Sequence, residues 1–168
     1  MATHTLKDKV VLITGGAKNL GGLISRKFAE QGAKIAIHYN SAETQADAEQ
    51  TLADVRAFGV DAVLIQADLT DIDNIEKLFL DTKQHFGGID IAINTVGKVL
   101  KKSFLDTTEQ EFDSMSDINS KIAYFFIQSA GRHLNDGGKI CSIVTSLLAA
   151  YTGLYSTYEG LKAPVEHY

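Results

Sequence analysis

The chain has 168 residues, which is enough for one domain with a substantial core and too few for two ordinary domains. Hydrophobic residues make up 45% and charged residues 22% of the composition, as in globular proteins, and the formal net charge of −5 argues against a nucleic-acid partner. Residues 1–10 contain no apolar targeting segment and no apolar run is long enough to span a membrane, so we expect a cytoplasmic protein without a membrane partner.

Short apolar runs alternate with longer amphipathic stretches along the chain. The runs are typical of buried strands, and apolar residues at helical spacing predict the helices between them. In chain order we predict a strand at 9–14, a helix at 20–31, a strand at 34–39, a helix at 44–58, a strand at 62–66, a helix at 71–86, a strand at 89–94, a helix at 109–133 and a strand at 139–145. A last helix is predicted to begin near Ser156 and to continue to the end of the chain.

The predicted core draws on both kinds of element. Leu52, Val55 and Phe58 recur at helical spacing and share one side of the second predicted helix. Cys141, the only cysteine, lies within the apolar last strand and is predicted to be a small core residue rather than a nucleophile. A single cysteine also excludes an intrachain disulfide.

The alternation of strands and helices predicts an α/β fold. Strands that are apolar on both sides require helices on both faces of a parallel sheet. Right-handed crossovers between consecutive strands then make the arrangement a doubly wound parallel sheet. In such sheets ligands bind at the carboxyl ends of the strands, and the motifs described below are predicted to fall at those ends.

A glycine-rich segment, TGGAKNLGG over residues 14–22, joins the first strand to the first helix. Glycines allow the backbone to approach a pyrophosphate closely, and the following helix N-terminus offers free N–H groups and the positive end of its dipole. The spacing differs from the general dinucleotide pattern G-x-G-x-x-G. A glycine-rich turn without a ligand is the alternative interpretation.

Tyr158 and Lys162 lie four residues apart at the start of the last predicted helix, which places them on one face. A lysine ammonium beside a phenol favours the phenolate and suits the pair to proton transfer. The neighbouring tyrosines, Tyr151 and Tyr155, have no lysine at this spacing. Taken alone the pair is a weak signal, because a chance pair on the surface would look the same.

Together the two motifs resemble those of the short-chain dehydrogenase/reductase family, and the resemblance extends over essentially the whole chain in order. Thr14, Gly15 and Gly21 match the family's T-G-x-x-x-G-x-G loop, with Asn19 in place of the middle glycine. Asparagine tolerates a left-handed backbone conformation, so the turn can survive. The Tyr-x-x-x-Lys pair matches the family's catalytic motif. The resemblance implies one NAD(P)-binding domain of Rossmann type over residues 1–168.

The residues after the second strand favour NADP(H) over NAD(H). An acidic residue here would bond the ribose 2′-hydroxyl of NAD, and the segment 38–41 (HYNS) contains none. Lys18 lies in the glycine loop, where the resemblance implies a basic residue in members that prefer NADP(H), and an ammonium pairs strongly with a 2′-phosphate. A solvated surface lysine is the alternative interpretation of Lys18 taken alone.

Two more strand ends agree with the resemblance. Asp68 and Leu69 follow the third strand, where the family has an aspartate that contacts the adenine. Asn94 and Gly97 match the family's N-N-A-G motif after the fourth strand, whereas Thr95 and Val96 do not. Taken alone, an ordinary turn or cap is the alternative interpretation of each segment. The resemblance therefore implies cofactor contacts at Gly15, Lys18, Asn19, Leu20, Gly21, Tyr39, Asn40, Ser41, Asp68, Leu69, Asn94, Gly97, Tyr158 and Lys162.

The resemblance also implies hydride transfer from NADPH to the carbonyl carbon of a small-molecule substrate, without a metal. Tyr158 would donate a proton to the developing alkoxide, and Lys162 would assist it and hold the nicotinamide ribose. Asn119 falls where the family has an asparagine that anchors a water. The catalytic hydroxyl is Ser146 or Thr145: the family's usual spacing points to Thr145, whereas its preference for serine points to Ser146, which we favour.

The chain also departs from the family pattern. Glu159 and Leu161 stand between the tyrosine and the lysine at positions that are usually small or serine. Family members continue well beyond this helix, whereas the chain ends at Tyr168, so we expect a sheet that is incomplete at its C-terminal edge, with low activity and low stability. The alternative hypothesis is an inactive remnant that binds a dinucleotide or a partner. For a complete family member the resemblance implies a homo-oligomer.

Overall fold

The computed structural model describes residues 6–168, which form alternating strands and helices. Residues 1–5, part of the stretch in which we expected no targeting segment, lie outside the described residues. The strands are β1 (Val10–Thr14), β2 (Lys34–Tyr39), β3 (Ala62–Gln66), β4 (Ile91–Asn94) and β5 (Lys139–Ser142). The helices are α1 (Asn19–Glu30), α2 (Gln45–Arg56), α3 (Ile72–Phe86), α4 (Glu109–Ser116), α5 (Ile122–His133) and α6 (Ser156–Lys162).

All five strands run parallel in one sheet with the order β3-β2-β1-β4-β5. The central strand is β1, in which Leu12 lies opposite Ala36 of β2 and Ala92 of β4. The chain moves outward from β1 to β3 and then crosses back to β4, so its winding direction reverses beside β1. This confirms the predicted doubly wound sheet and places the ligand crevice of such sheets at the carboxyl ends of β1 and β4.

Helices cover both faces of the sheet. On one face α3 and α5 pack over Leu12, and the ring centres of Phe79 and Phe126 lie 5.3 Å apart. On the other face α1 and α2 cover the neighbouring residue Val11, with Val55 of α2 fully buried. Successive residues of β1 point into different cores, which is why this strand is apolar on both sides.

Two side chains predicted to lie in the core are exposed. The helix α2 ends at Arg56, so Phe58 lies beyond it and is 49% exposed, before Gly59 turns the chain with a φ of +79°. Cys141 is exposed because β5 is the last strand of the sheet and most of its residues remain accessible. The apolar patterns identify both elements correctly, but they do not show which side of an element is covered.

Three elements depart from the prediction by more than one or two residues at an end or by a change of helix type. The strand β5 ends at Ser142 rather than at residue 145, and Thr145 caps a 3₁₀ turn at Ser146–Leu148. The long helix predicted at 109–133 contains a π-helical turn at Asp117–Lys121, between α4 and α5. The last helix changes into a 3₁₀ turn at Ala163–His167.

The exposed edge of β5 agrees with the prediction of a sheet that is incomplete on this side. Ile140 is 42% exposed, and the residues on either side of it are exposed as well. None of the helices over residues 6–168 has both the length and the apolar character that crossing a bilayer requires.

Replacing Phe126 by alanine tests the core between α3 and α5. Phe126 is fully buried against Phe79, so Phe126→Ala should lower the free energy of unfolding by about 3–5 kcal/mol. The matched control is Phe58→Ala, which removes an exposed ring and should cost about 1 kcal/mol or less. Urea unfolding followed by circular dichroism measures both. Equal losses for the two variants would contradict the described core.

Candidate active site

A cleft of about 400 Å³ opens at the carboxyl ends of the central strands. It is lined by the glycine loop, the end of β2, and the segments that follow β3 and β4. The predicted cofactor residues among its walls are Gly15, Lys18, Asn19, Leu20, Gly21, Tyr39, Asn40, Leu69 and Gly97. The residues that line the cleft do not include the other predicted cofactor residues, which are Ser41, Asp68, Asn94, Tyr158 and Lys162.

The glycine loop has the backbone conformation in which asparagine can take the place of the family's middle glycine. Gly15 and Asn19 both have a positive φ, of +64° and +50°, so asparagine here takes up the left-handed conformation. Gly21 lies so close to Gly15 that a Cβ at Gly21 would overlap the carbonyl oxygen of Gly15. The loop therefore closes tightly and places the first turn of α1 directly after β1.

The N-terminus of α1 suits an anionic group. Within the described residues no side chain caps this helix, and its first turn contains no acidic residue. Its first N–H groups and the positive end of its dipole are thus available to a pyrophosphate. A cleft bounded by glycines and an uncapped helix N-terminus fits a dinucleotide.

The wall after β2 carries no carboxylate of its own. Tyr39 and Asn40 line the cleft there, while Ser41 precedes a 3₁₀ turn at Ala42–Thr44. The ammonium of Lys18 lies 3.5 Å from a carboxylate oxygen of Asp47 on α2, and both side chains are about half exposed. Lys18 thus lines the cleft and is paired there with a carboxylate of α2.

Asp68 serves the turn after β3. One of its carboxylate oxygens accepts hydrogen bonds from the backbone N–H of Thr70 at 3.0 Å and from the Thr70 hydroxyl at 2.7 Å. These bonds, the hydroxyl first, hold the pKa of Asp68 below its ordinary value. The turn positions Leu69 and Thr70 in the wall of the cleft.

His38 is a residue of the cleft that the sequence motifs do not identify. Its ring is buried, Nδ1 accepts a hydrogen bond from the backbone N–H of Gly15 at 3.0 Å, and Nε2 lies 2.9 Å from the carbonyl oxygen of Ala67. Burial lowers the pKa of His38 to about 4, against smaller opposing effects of Ala67 and Asp68. A lone histidine in an apolar strand has no distinctive spacing, so only the fold brings it to the glycine loop.

Asn94 joins the ends of three neighbouring strands. Its side-chain oxygen accepts bonds from the Thr14 hydroxyl at 2.7 Å and from the backbone N–H of Val96 at 3.1 Å, and its amide donates to Ser142 at 3.3 Å. The next residue, Thr95, donates its hydroxyl to the Thr14 carbonyl at 2.6 Å. Asn94 is thus a buried side chain that links the three strand ends, and it does not line the cleft.

Asn119 lies in the π-helical turn and is fully buried. Its side-chain oxygen accepts the backbone N–H of Lys98 at 3.1 Å, and its amide donates to the carbonyl oxygens of Lys98 at 2.9 Å and Met115 at 3.1 Å. Single π turns within α-helices occur often at functional sites. Here the turn carries an amide that fixes the segment after β4.

Lys162 is buried between the ends of β4 and β5. Its ammonium donates to the carbonyl oxygens of Val96 at 3.3 Å and Ile143 at 3.1 Å, and burial lowers its pKa. A Cβ at Gly97 would stand 3.0 Å from the ammonium nitrogen and 3.2 Å from the Asn119 side-chain oxygen. The structure therefore brings Gly97, Asn119 and Lys162 together at one side of the cleft.

Tyr158 lies one turn before Lys162 on α6 and is partly buried. The neighbouring Glu159 accepts a hydrogen bond from the backbone N–H of Thr152 at 3.3 Å, so its carboxylate bonds to the loop before α6. The carbonyl oxygen of Leu161 accepts a hydrogen bond from the Ser120 hydroxyl. The two unusual residues between the tyrosine and the lysine therefore help to attach α6 to its surroundings.

The two candidate hydroxyls after β5 have different surroundings. Thr145 Oγ1 accepts the backbone N–H of Leu147 at 3.3 Å and so caps the 3₁₀ turn. Ser146 is the first residue of that turn and is exposed. The structure thus assigns Thr145 a bond within the protein and leaves Ser146 accessible.

Comparisons with known proteins agree with this fold. Residues 15–168 match a family model described as enoyl-(acyl carrier protein) reductase. Hydroxynaphthalene reductase-like protein Arp2 of Metarhizium brunneum is 33% identical over 165 residues, which cover 97% of this chain and 61% of the relative. Versicolorin reductase 1 of Aspergillus parasiticus is 33% identical over 165 residues, which cover 97% of this chain and 62% of the relative.

Solved structures extend the agreement. A "putative dehydrogenase" from Burkholderia cenocepacia with bound NADP is 64% identical with a TM-score of 0.95, and the match covers 99% of this chain and 63% of that one. A short-chain dehydrogenase from Oenococcus oeni is 48% identical with a TM-score of 0.79, over 98% of this chain and 71% of that one. The chain belongs to the short-chain dehydrogenase/reductase family, and it spans about three fifths of the length of the curated relatives named above.

We expect His38 to make the folded protein sensitive to acid. The folded state holds the pKa of this imidazole at about 4, whereas the unfolded chain titrates near the ordinary value of 6.5. Protonation therefore favours unfolding, so the contribution is fully present above pH 6.5 and is lost as the pH falls towards 4, by about 3 kcal/mol in all. Urea unfolding at a series of pH values measures it. His38→Asn should flatten this part of the profile, and parallel profiles for the variant and the wild type would contradict the assignment.

Proposed function

We propose that the protein is an NADP(H)-dependent oxidoreductase that reduces the carbonyl group of a ketone, aldehyde or 3-oxoacyl compound. The observation that carries this proposal is the convergence of Gly97, Asn119 and Lys162 beside the cleft that the glycine loop bounds. The names of the relatives, which are reductases, and the NADP in the Burkholderia structure support it.

The glycine loop and α1 would hold the pyrophosphate of the dinucleotide. Lys18 and Asn40, at the end of the cleft where an acidic residue is missing, would bind the 2′-phosphate. Leu69, on the wall after β3, would contact the adenine. When bound in this cleft, NADPH supplies the hydride.

Tyr158 would donate the proton to the substrate oxygen. The ammonium of Lys162 is fixed by two backbone carbonyls, so its charge is held in place one helical turn from the tyrosine. That charge stabilises the phenolate as the proton leaves. Asn119 holds the backbone at Lys98 through both its side-chain oxygen and its amide, and in this proposal it anchors a water in the proton relay.

Ser146 would hydrogen-bond the carbonyl oxygen of the substrate. Thr145 already uses its hydroxyl oxygen to cap the turn, whereas Ser146 is accessible. Turnover of Ser146→Ala compared with that of Thr145→Val identifies the hydroxyl, and we expect the greater loss in Ser146→Ala.

Phe112 on α4 and Tyr124 on α5 are 48% and 45% exposed, and we propose that they lie in a contact between subunits of a homo-oligomer.

The second candidate is a module that binds a dinucleotide without turnover. The exposed strand β5 favours it, because over the described residues no further strand pairs with this edge of the sheet. NADPH oxidation by the 168-residue chain, measured with a panel of ketones and beside NADPH titration by fluorescence, separates the two. Binding with substrate-dependent oxidation supports the reductase, binding alone supports the second candidate, and no binding contradicts both.

Removing the Lys18 ammonium should shift the preference between cofactors. We expect Lys18→Ala to raise the Kd for NADPH about tenfold, because one exposed charged contact to a phosphate is lost. The Kd for NADH should change less than about twofold, because NADH has no 2′-phosphate. Competitive fluorescence titration of both cofactors measures this. Lys27→Ala, which removes a lysine paired with Glu30 on α1, is the control. Equal affinity of the wild type for the two cofactors would contradict the assignment of Lys18.

Tyr158→Phe should remove nearly all turnover and leave cofactor binding intact. The ring stays and only the proton donor is lost, so kcat should fall by about a hundredfold or more, while the Kd for NADPH changes less than about twofold. Tyr151→Phe is the matched control, because that tyrosine is 92% exposed. Steady-state rates with saturating NADPH measure the effect. Activity of Tyr158→Phe within tenfold of the wild type would mean that another group supplies the proton.

A further inference from the structure

One imidazole connects the glycine loop to the end of β3. His38 is the penultimate residue of β2 and is 2% exposed. Its Nδ1 meets the N–H of Gly15 at 3.0 Å, and its Nε2 meets the carbonyl oxygen of Ala67 at 2.9 Å. Because a carbonyl can only accept, Nε2 carries the hydrogen and Nδ1 presents a lone pair to Gly15. Both partners together fix this neutral tautomer.

The same residue holds the amides of both Gly15 and Gly16 in the glycine loop. The side chain of His38 accepts from Gly15, and the backbone carbonyl of His38 accepts from the N–H of Gly16 at 3.0 Å. Gly15 has a left-handed φ of +64°, so the chain leaves the extended conformation of β1 at this residue. The imidazole of His38 supplies the acceptor that the Gly15 N–H needs at this point. The imidazole therefore stabilises the conformation in which the loop leaves β1.

The position of Gly15 in turn sets the position of α1. The carbonyl oxygen of Gly15 lies where a Cβ of Gly21 would stand, so the loop and the first turn of the helix are in direct backbone contact. Both glycines and His38 line the same cleft. A shift of Gly15 would move the N–H groups that we propose bind the pyrophosphate.

We propose that His38 is a positioning residue for the cofactor, and that its acceptor at Nδ1 holds the glycine loop in the conformation that binds a dinucleotide. The inference rests on the proposed function, because it concerns the same cleft. It differs from the role of Lys18, since the loop contacts the pyrophosphate that NADPH and NADH share. Loss of the acceptor should therefore weaken the binding of NADPH and of NADH to the same extent.

Two amide variants separate the acceptor of His38 from its donor. In His38→Asn the side-chain oxygen occupies the place of Nδ1 and keeps the bond from Gly15, but the donor to Ala67 is lost. In His38→Gln the amide nitrogen occupies the place of Nε2 and keeps the bond to Ala67, but the acceptor for Gly15 is lost. Each variant removes one buried hydrogen bond, so their unfolding free energies serve as matched controls for each other.

Fluorescence titration with NADPH and NADH, together with hydrogen exchange of the Gly15 amide in the free protein, tests the proposal. We expect His38→Gln to raise both dissociation constants by about tenfold and to speed exchange at Gly15, and His38→Asn to stay within about threefold of the wild type. Equal losses in the two variants, or no loss in either, would overturn the role of the acceptor. A wild-type chain that binds neither cofactor would overturn the proposed function and the role of His38 with it, whereas binding by the wild type with unchanged variants overturns only the latter.

Discussion

The close approach between α1 and the glycine loop is the constraint on which the rest of the cleft depends. Gly21 lies against the carbonyl oxygen of Gly15, where any side chain would overlap that oxygen. The contact brings the first turn of α1 over the end of β1, so that its N–H groups border the cleft. Thr95 completes the arrangement, because its hydroxyl bonds the Thr14 carbonyl and lies beside the same glycines.

Beyond the backbone hydrogen bonds of the sheet, polar side chains connect the strand ends by hydrogen bonds. His38 joins the glycine loop to the end of β3, Asn94 joins β1, β4 and β5, and Lys162 joins α6 to the segments after β4 and β5. Over the described residues, every buried side-chain nitrogen or oxygen has a hydrogen-bond partner. These bonds make a rigid frame and leave the hydroxyls of Tyr158 and Ser146 on less buried positions.

The sequence predicts most of the fold because each central strand is apolar on both sides, and it predicts the glycine loop because the motif carries its own geometry. It misplaces Phe58 and Cys141, since an apolar residue gives no sign of whether another element covers it. It misses His38, whose two partners, Gly15 and Ala67, are remote in the chain and meet it only in the folded sheet. The roles of the site residues stay predictions, because they depend on a cofactor and a substrate.

Calorimetric titration of NADPH into Gly21→Ala, beside the wild type, tests the central claim most directly. One added methyl group should displace α1 from the loop and abolish measurable binding, while the wild type binds. Gly131→Ala on α5 is the control, because a Cβ there meets no heavy atom within 4 Å and binding should be unchanged. Binding to Gly21→Ala with wild-type affinity would contradict the account, since the glycine loop would then not be what holds the dinucleotide.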